Sequence, residues 1–183
     1  MNAVALNVLL VASNADDAEA VETALTQERT LPCKVECAPS LAAALERLGN
    51  VSFDVVLLDH ELADAQGLAV FEHVRVAAPD ALMLILCSGD DELRAPQVLA
   101  CGADDHLVKD RLDAYWLART LHYLIERKAT RLALTLSEAR FRAMSDASPL
   151  GIFVSDIDGE CIYTNAAYHK ISGLNLEQTL GTN

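Results

Sequence analysis

Three polar residues stand at the ends of apolar runs. Val55-Val56-Leu57-Leu58 runs into Asp59, Leu84-Ile85-Leu86-Cys87 into Ser88, and His106-Leu107-Val108 into Lys109. Unbroken apolar strands belong to a parallel sheet covered on both faces. In such sheets the working groups collect beyond the carboxyl ends of the strands. A carboxylate, a hydroxyl and an ammonium are therefore expected to meet in one crevice, supplying an anionic oxygen, a hydroxyl donor and a positive charge.

The elements that must carry these groups alternate along the chain. Leu6 to Ala12 reads as a strand, followed by a helix from about Ala15 to Gln27 with Ala18, Val21 and Leu25 at helical spacing. Ser13 or Asn14 is expected to cap that helix, with Asp16 and Asp17 complementing the positive end of its dipole. Cys33 to Ala38 is a second strand, and Pro39-Ser40 opens a helix through Leu48 with Ser40 as its cap. Asp59 ends the third strand, and Gly67 to Val76 forms the third helix. Leu82 to Cys87 and Glu92 to Cys101 make the fourth pair, with Pro96 near its helix's first turn, where a missing N–H costs little. This alternation predicts βα repeats and a parallel sheet.

Residues 5 to 125 resemble a bacterial response-regulator receiver domain. The likeness is carried by Phe53-Asp54-Val55-Val56-Leu57-Leu58-Asp59, Leu62-Ala63-Asp64, Gly67-Leu68 and Gly102-Ala103-Asp104-Asp105-His106-Leu107-Val108-Lys109, which stand in the family's order and spacing. It implies an α/β fold over residues 1–125, a doubly wound (βα)5 flavodoxin-like domain with a five-stranded parallel sheet. It also implies roles: Asp59 as phosphoacceptor, Ser88 binding a phosphoryl oxygen, Lys109 neutralising its charge, and His106 where the family places a rotamer-switching Tyr or Phe. Ala63 stands where the family usually has Pro. The implied donor is a sensor histidine kinase or phosphotransfer protein bearing a phosphohistidine.

The family also implies Mg²⁺, held by an acidic pair at the end of the first strand. Here the chain departs: after Val8-Leu9-Leu10-Val11 it reads Ala12-Ser13, and neither residue supplies a carboxylate. Asp59 and the backbone carbonyl near Glu61 would be the only protein ligands, so Mg²⁺, which wants near-octahedral oxygen coordination, is expected to bind weakly or not at all. Asp16 and Asp17 are expected to serve the helix dipole rather than the metal. Phosphoryl transfer relies on such a cation to neutralise developing charge. Two mechanisms follow: a receiver phosphorylated on Asp59 with impaired metal assistance, or a pseudo-receiver acting as an interaction scaffold without phosphorylation.

From Leu112 to about Ser145 the chain has neither Gly nor Pro and is dominated by good helix formers. A helix of that length would reach on the order of 50 Å. Ile125, Ala129, Leu132, Leu136, Ala139 and Ala143 recur in steps of four and three, the spacing of a coiled-coil seam. Leu117, Leu121 and Leu124 lie one position out of phase. The expectation is a linker over residues 112–147 that forms a parallel homodimer; the alternative is a stripe packed on a neighbouring domain. Residues 148–183, with Glu138-Ala139-Arg140-Phe141-Arg142-Ala143-Met144 before them, resemble the amino-terminal part of a PAS domain, an α/β sensor module. The likeness is carried by Ser148-Pro149-Leu150-Gly151-Ile152-Phe153-Val154, Asp158-Gly159, Tyr163-Thr164-Asn165-Ala166-Ala167 and Gly173. Two short strands joined through Asp156 to Gly159 and a helix capped by Asn165 are expected. The PAS ligand is left open. The chain ends short of the strands that complete such a module, so this part is expected to be partly disordered or to pair its strand edges with a neighbour. Proteins of this arrangement carry an output such as a diguanylate cyclase or histidine kinase, and no such motif is present.

The net charge of −13 sits in one region. Residues 1–110 hold 6 Lys or Arg against 19 Asp or Glu, whereas residues 111–183 hold 8 of each. An acidic surface repels phosphate backbones and anionic lipids, so neither nucleic acid nor a membrane is the expected partner. No apolar run nears the roughly 20 residues of a bilayer span, and the amino terminus has no basic segment before an apolar stretch, so the chain reads as cytoplasmic. Cys33, Cys37, Cys87, Cys101 and Cys161 lack C-x-x-C spacing and read as buried free thiols. A free-standing enzyme is not expected. Ser88 lacks the G-x-S-x-G elbow, no G-x-G-x-x-G follows the first strand, and Asp59 is followed by His60-Glu61 rather than by a second Asp two residues on.

Overall fold

The computed structural model describes residues 5–27, 31–65, 68–89 and 102–179. The chain divides into two compact units, Met1–Glu126 and Arg127–Asn183. Elements are numbered in order among the described residues.

The first unit alternates strands and helices: β1 (Leu6–Val11), α1 (Ala15–Gln27), β2 (Cys33–Ala38), α2 (Leu41–Asn50), β3 (Val55–Asp59), α3 (Leu68–Ala77), β4 (Leu82–Cys87) and β5 (Asp105–Val108). The five strands are parallel in the order β2-β1-β3-β4-β5. This is the doubly wound flavodoxin-like order, with the switch point at the carboxyl ends of β1 and β3. The fourth expected helix, Glu92 to Cys101 with Pro96, lies outside the described residues.

Strand side chains alternate between faces, so one run of apolar residues feeds two cores. Leu9, Val11, Val56, Leu58, Met83 and Ile85 pack in one cluster with Val70, Phe71 and Val74 of α3 and Ala44 of α2. Val8, Leu10, Ala12, Val55, Leu57, Leu84 and Leu86 pack in the other with Val21, Ala24 and Leu25 of α1. That every residue of β3 and β4 is buried follows from helices on both faces. Of the described cysteines, only Cys87 is fully buried, and Cys33, Cys37 and Cys161 are half-buried free thiols rather than the buried ones expected; Cys101 lies outside the described residues. Burial raises the Cys33 and Cys37 thiols, and Glu22 beside Cys37 adds to it, so both stay protonated.

A one-turn 3₁₀ helix (Lys109–Arg111) follows β5, and then α4 runs from Ala114 to Ala147. Asp113 caps α4, its Oδ1 accepting from the backbone N–H groups of Tyr115 and Trp116. Leu117, Leu121 and Leu124 of its first turns are buried in the α1-side cluster, and Ile125 packs against that cluster too. Ile125 therefore belongs to the receiver stripe and not to the expected seam. Farther on, Leu132, Leu136 and Phe141 are exposed. Among the described residues no helix is long and apolar enough to cross a membrane.

In the second unit, β6 (Phe153–Ser155) and β7 (Cys161–Thr164) pair antiparallel, followed by α5 (Ala166–Ser172) and α6 (Leu176–Thr179). The Asn165 side chain caps α5 at Tyr168 N–H, accepts from Ile152 N–H, and donates to the carbonyls of Ser145 and Leu150. Gly173 ends α5 at φ 73°, the left-handed cap that favours glycine.

Candidate functional site

Asp59 is the last residue of β3, a central strand, and is 1% exposed. A buried carboxylate requires a partner. Lys109, the first residue past β5, provides it with Nζ 2.6 Å from Asp59 Oδ2. Asp59 Oδ1 accepts from the Glu61 backbone N–H at 3.1 Å, and His60 Nδ1 lies 4.0 Å away. Ser88 follows β4. Because Asp59 pairs with Leu86 and Cys87 with Val108, Ser88 and Lys109 leave the sheet as neighbours, just beyond the level of Asp59. The sheet thus brings Asp59 and Lys109 into contact and sets Ser88 at the same edge. His106 pairs with Ile85 one strand away, half-buried, its Nδ1 3.7 Å from Asp105 Oδ1.

Lys109 Nζ also donates to Asp17 Oδ2 at 2.9 Å. Burial alone would lower the Lys109 ammonium, but its hydrogen bonds to Asp59 and Asp17 and their charges outweigh that and hold it above the usual lysine value. Asp17 is thus more than a charge on a helix dipole, the role expected of it. The signal was present in the strand alternation. Asp59 falls on the same face as Val55 and Leu57, and α1 covers that face.

Side chains organise the loops around this edge. Asn14, not Ser13, caps α1, its Oδ1 accepting from Asp16 N–H. Ser13 Oγ instead accepts from Ala63 N–H at 2.8 Å, tying the β1–α1 loop to the β3–α3 loop. Ser40 caps α2 as expected, and Asp64 reaches across from the β3–α3 loop to accept from Leu41 and Ala42 N–H. Those backbone hydrogen bonds hold the Asp64 carboxyl below its usual range.

The residues present do not fit the metal site that the family implies. Ala12 is packed in the α1-side core and Ser13 Oγ is engaged by Ala63. Both oxygens of Asp59 accept hydrogen bonds from the protein, and the Asp17 carboxylate is bound to Lys109. Among the described residues no group of three His, Cys, Asp or Glu side chains could hold a metal.

The family model described as response regulator receiver domain matches residues 8–121, and that described as PAS fold matches residues 139–183. The transcriptional regulatory protein CutR of Streptomyces coelicolor is 36% identical over 105 residues, covering 57% of this chain and 46% of the relative, and its counterpart in Streptomyces lividans matches equally. The chain thus spans about half the length of the curated relatives it matches. Among solved structures, a two-component response regulator from Clostridium difficile superposes with a TM-score of 0.59 at 16% identity, over 67% of this chain and 97% of that one. The receiver domain of a sensor histidine kinase from Pseudomonas aeruginosa, with magnesium coordinated in its active site cleft, gives 0.57 at 21% identity, over 67% and 99%. NtrX from Brucella abortus gives 0.65 at 20% identity, over 84% of this chain and 32% of that one.

Proposed function

We propose, since this chain belongs to the response regulator receiver domain family, that Asp59 accepts a phosphoryl group from a histidine kinase or phosphotransfer partner. The observation that carries the proposal is a carboxylate buried at the end of a central strand with an ammonium 2.6 Å from one oxygen. Asp59 would attack phosphorus as the bond to the donor histidine nitrogen breaks, the leaving nitrogen keeping the electron pair. Lys109 would balance charge on the transferred oxygens, and the Ser88 hydroxyl would donate to one of them. Receiver domains are in general signalling modules rather than enzymes, and they bind Mg²⁺ in the active site. In this chain the substitution of Ala12 and Ser13 for the acidic pair leaves Asp59, whose oxygens are already hydrogen-bonded, and the Glu61 carbonyl, so we read Mg²⁺ binding here as weak or absent.

A second reading, a pseudo-receiver that signals by contact alone, is favoured by the same substitution. Incubation with acetyl phosphate or phosphoramidate, with and without Mg²⁺, followed by intact mass separates the two. Phosphorylation is expected as one phosphoryl mass lost in Asp59→Asn; no gain under any condition would leave the scaffold. For onward signalling we read α4 as a dimer helix, supported by exposed Leu132 and Leu136 on the expected seam. Light scattering is expected to give a dimer that Leu132→Glu with Leu136→Glu reduces to a monomer.

A further inference from the structure

We infer that Asp17 is a positioning residue that competes with an incoming phosphoryl group for Lys109. The inference rests on Asp59 being the phosphoacceptor. Lys109 Nζ bridges Asp59 Oδ2 at 2.6 Å and Asp17 Oδ2 at 2.9 Å, and its side chain is only 13% exposed. Those two distances bring the carboxylate oxygens within about 5.5 Å of each other, the range in which like charges interact strongly. At rest the shared ammonium relieves that repulsion, and the three groups together carry a single negative charge.

Phosphorylation upsets this arrangement. An acyl phosphate on Asp59 carries more negative charge than the carboxylate it replaces and adds oxygens that accept hydrogen bonds. Lys109 must then turn toward the phosphoryl oxygens, and each step in that direction leaves Asp17 unpaired beside a doubly charged group. Ala12 and Ser13 supply no carboxylate, and Asp17 is the second acid that Lys109 binds. It comes from the first turn of α1 rather than from the end of β1. In this position it draws the ammonium away from the phosphoryl group and so resists phosphorylation.

The test follows phosphoryl gain by the full chain with phosphoramidate, using intact mass against time for wild type, Asp17→Asn, Asp17→Glu, Asp16→Asn and Asp59→Asn. Urea unfolding of each variant verifies the fold. Asp17→Asn is expected to gain mass several-fold faster than wild type, and Asp17→Glu, which restores the carboxylate, to return toward the wild-type rate. Asp16→Asn removes a neighbouring charge from the same helix turn and is expected to leave the rate unchanged. An Asp17→Asn rate equal to or below wild type overturns the inference while leaving Asp59 as phosphoacceptor. So does equal acceleration by Asp16→Asn, which would make the effect one of general charge. No mass gain in any chain, Asp17→Asn included, overturns the phosphoacceptor reading and this inference with it. A readout independent of transfer is the ¹⁵N–¹H signal of the Lys109 ammonium. It is expected to be protected in wild type and weakened in Asp17→Asn, and an unchanged signal also counts against the inference.

Discussion

The two edges of the sheet use the same residue types for opposite ends. At the amino edge, carboxylates satisfy backbone. Asp54 accepts from Asn7 N–H, and Asp104 accepts from Met83 N–H. Arg75 at the end of α3 donates to the carbonyls of Ala81 and Gly102 and reaches Asp104 at 3.4 Å. Each group there closes a hydrogen bond that folding would otherwise leave open. At the carboxyl edge, Asp59 takes one backbone N–H and meets a side-chain cation that a second acid shares. A charge tied to backbone cannot be redirected without unfolding something, whereas one tied to a side chain can. The lesson is that an acidic residue at a strand end is structural or reactive according to what it is bonded to.

If that contrast is right, function and stability should separate between the edges. The largest effect is expected from Asp59→Asn, which should abolish phosphoryl gain by intact mass while changing the urea midpoint little, because Lys109 keeps Asp17 as its partner. Next, Lys109→Met should lower phosphoryl uptake by tenfold or more. It should also destabilise the domain by on the order of 2–3 kcal/mol, below the usual penalty for orphaning a buried charge because the site opens to water at Asp17. Arg75→Ala should do the reverse, costing about 2 kcal/mol in urea unfolding through the loss of several hydrogen bonds by a charged donor, with phosphoryl uptake retained. A variant at the amino edge that silenced uptake at an unchanged fold would break the comparison.

Two smaller effects sharpen it through pH. Lys109 has a raised folded value, so its contribution is fully present below the unfolded lysine value of 10.5 and is lost as pH rises through the folded one. Unfolding midpoints at alkaline pH should therefore fall more steeply in wild type than in Lys109→Met. Asp64 has a lowered folded value, so its contribution is present above the unfolded value of 3.8 and is lost as pH falls through the folded one. Asp64→Asn should flatten the acid limb of the stability curve without touching phosphoryl uptake.

Much of this was legible in the residues themselves. Apolar runs of strand length with helical periods between them announced parallel βα units, and β2, β4 and α1 have the expected bounds. The order of Asp59, Ser88 and Lys109 at strand ends followed from the same pattern. Other points were hidden because they depend on what faces what. The linker helix carries leucines at helical spacing along its length, yet Leu117, Leu121 and Leu124 are buried against the sheet while Leu132 and Leu136 are exposed. An apolar period declares a face and not its partner. Asp17 and Ser13 read locally as helix-start residues, the commonest fate of such residues.

The sequence by itself determined the fold of the first unit, the acid, hydroxyl and amine at one sheet edge, and the absence of the family's metal-binding pair, since each is a matter of residue type and spacing along one strand or helix. Only the tertiary structure decided that Asp17 shares Lys109 with Asp59, that Ser13 holds the loop at Ala63, and that the linker helix changes from buried to exposed along its length. Those outcomes join residues 92 and 50 positions apart. At such separations, strand register and helix docking, rather than local propensity, fix which side chains come within hydrogen-bond reach.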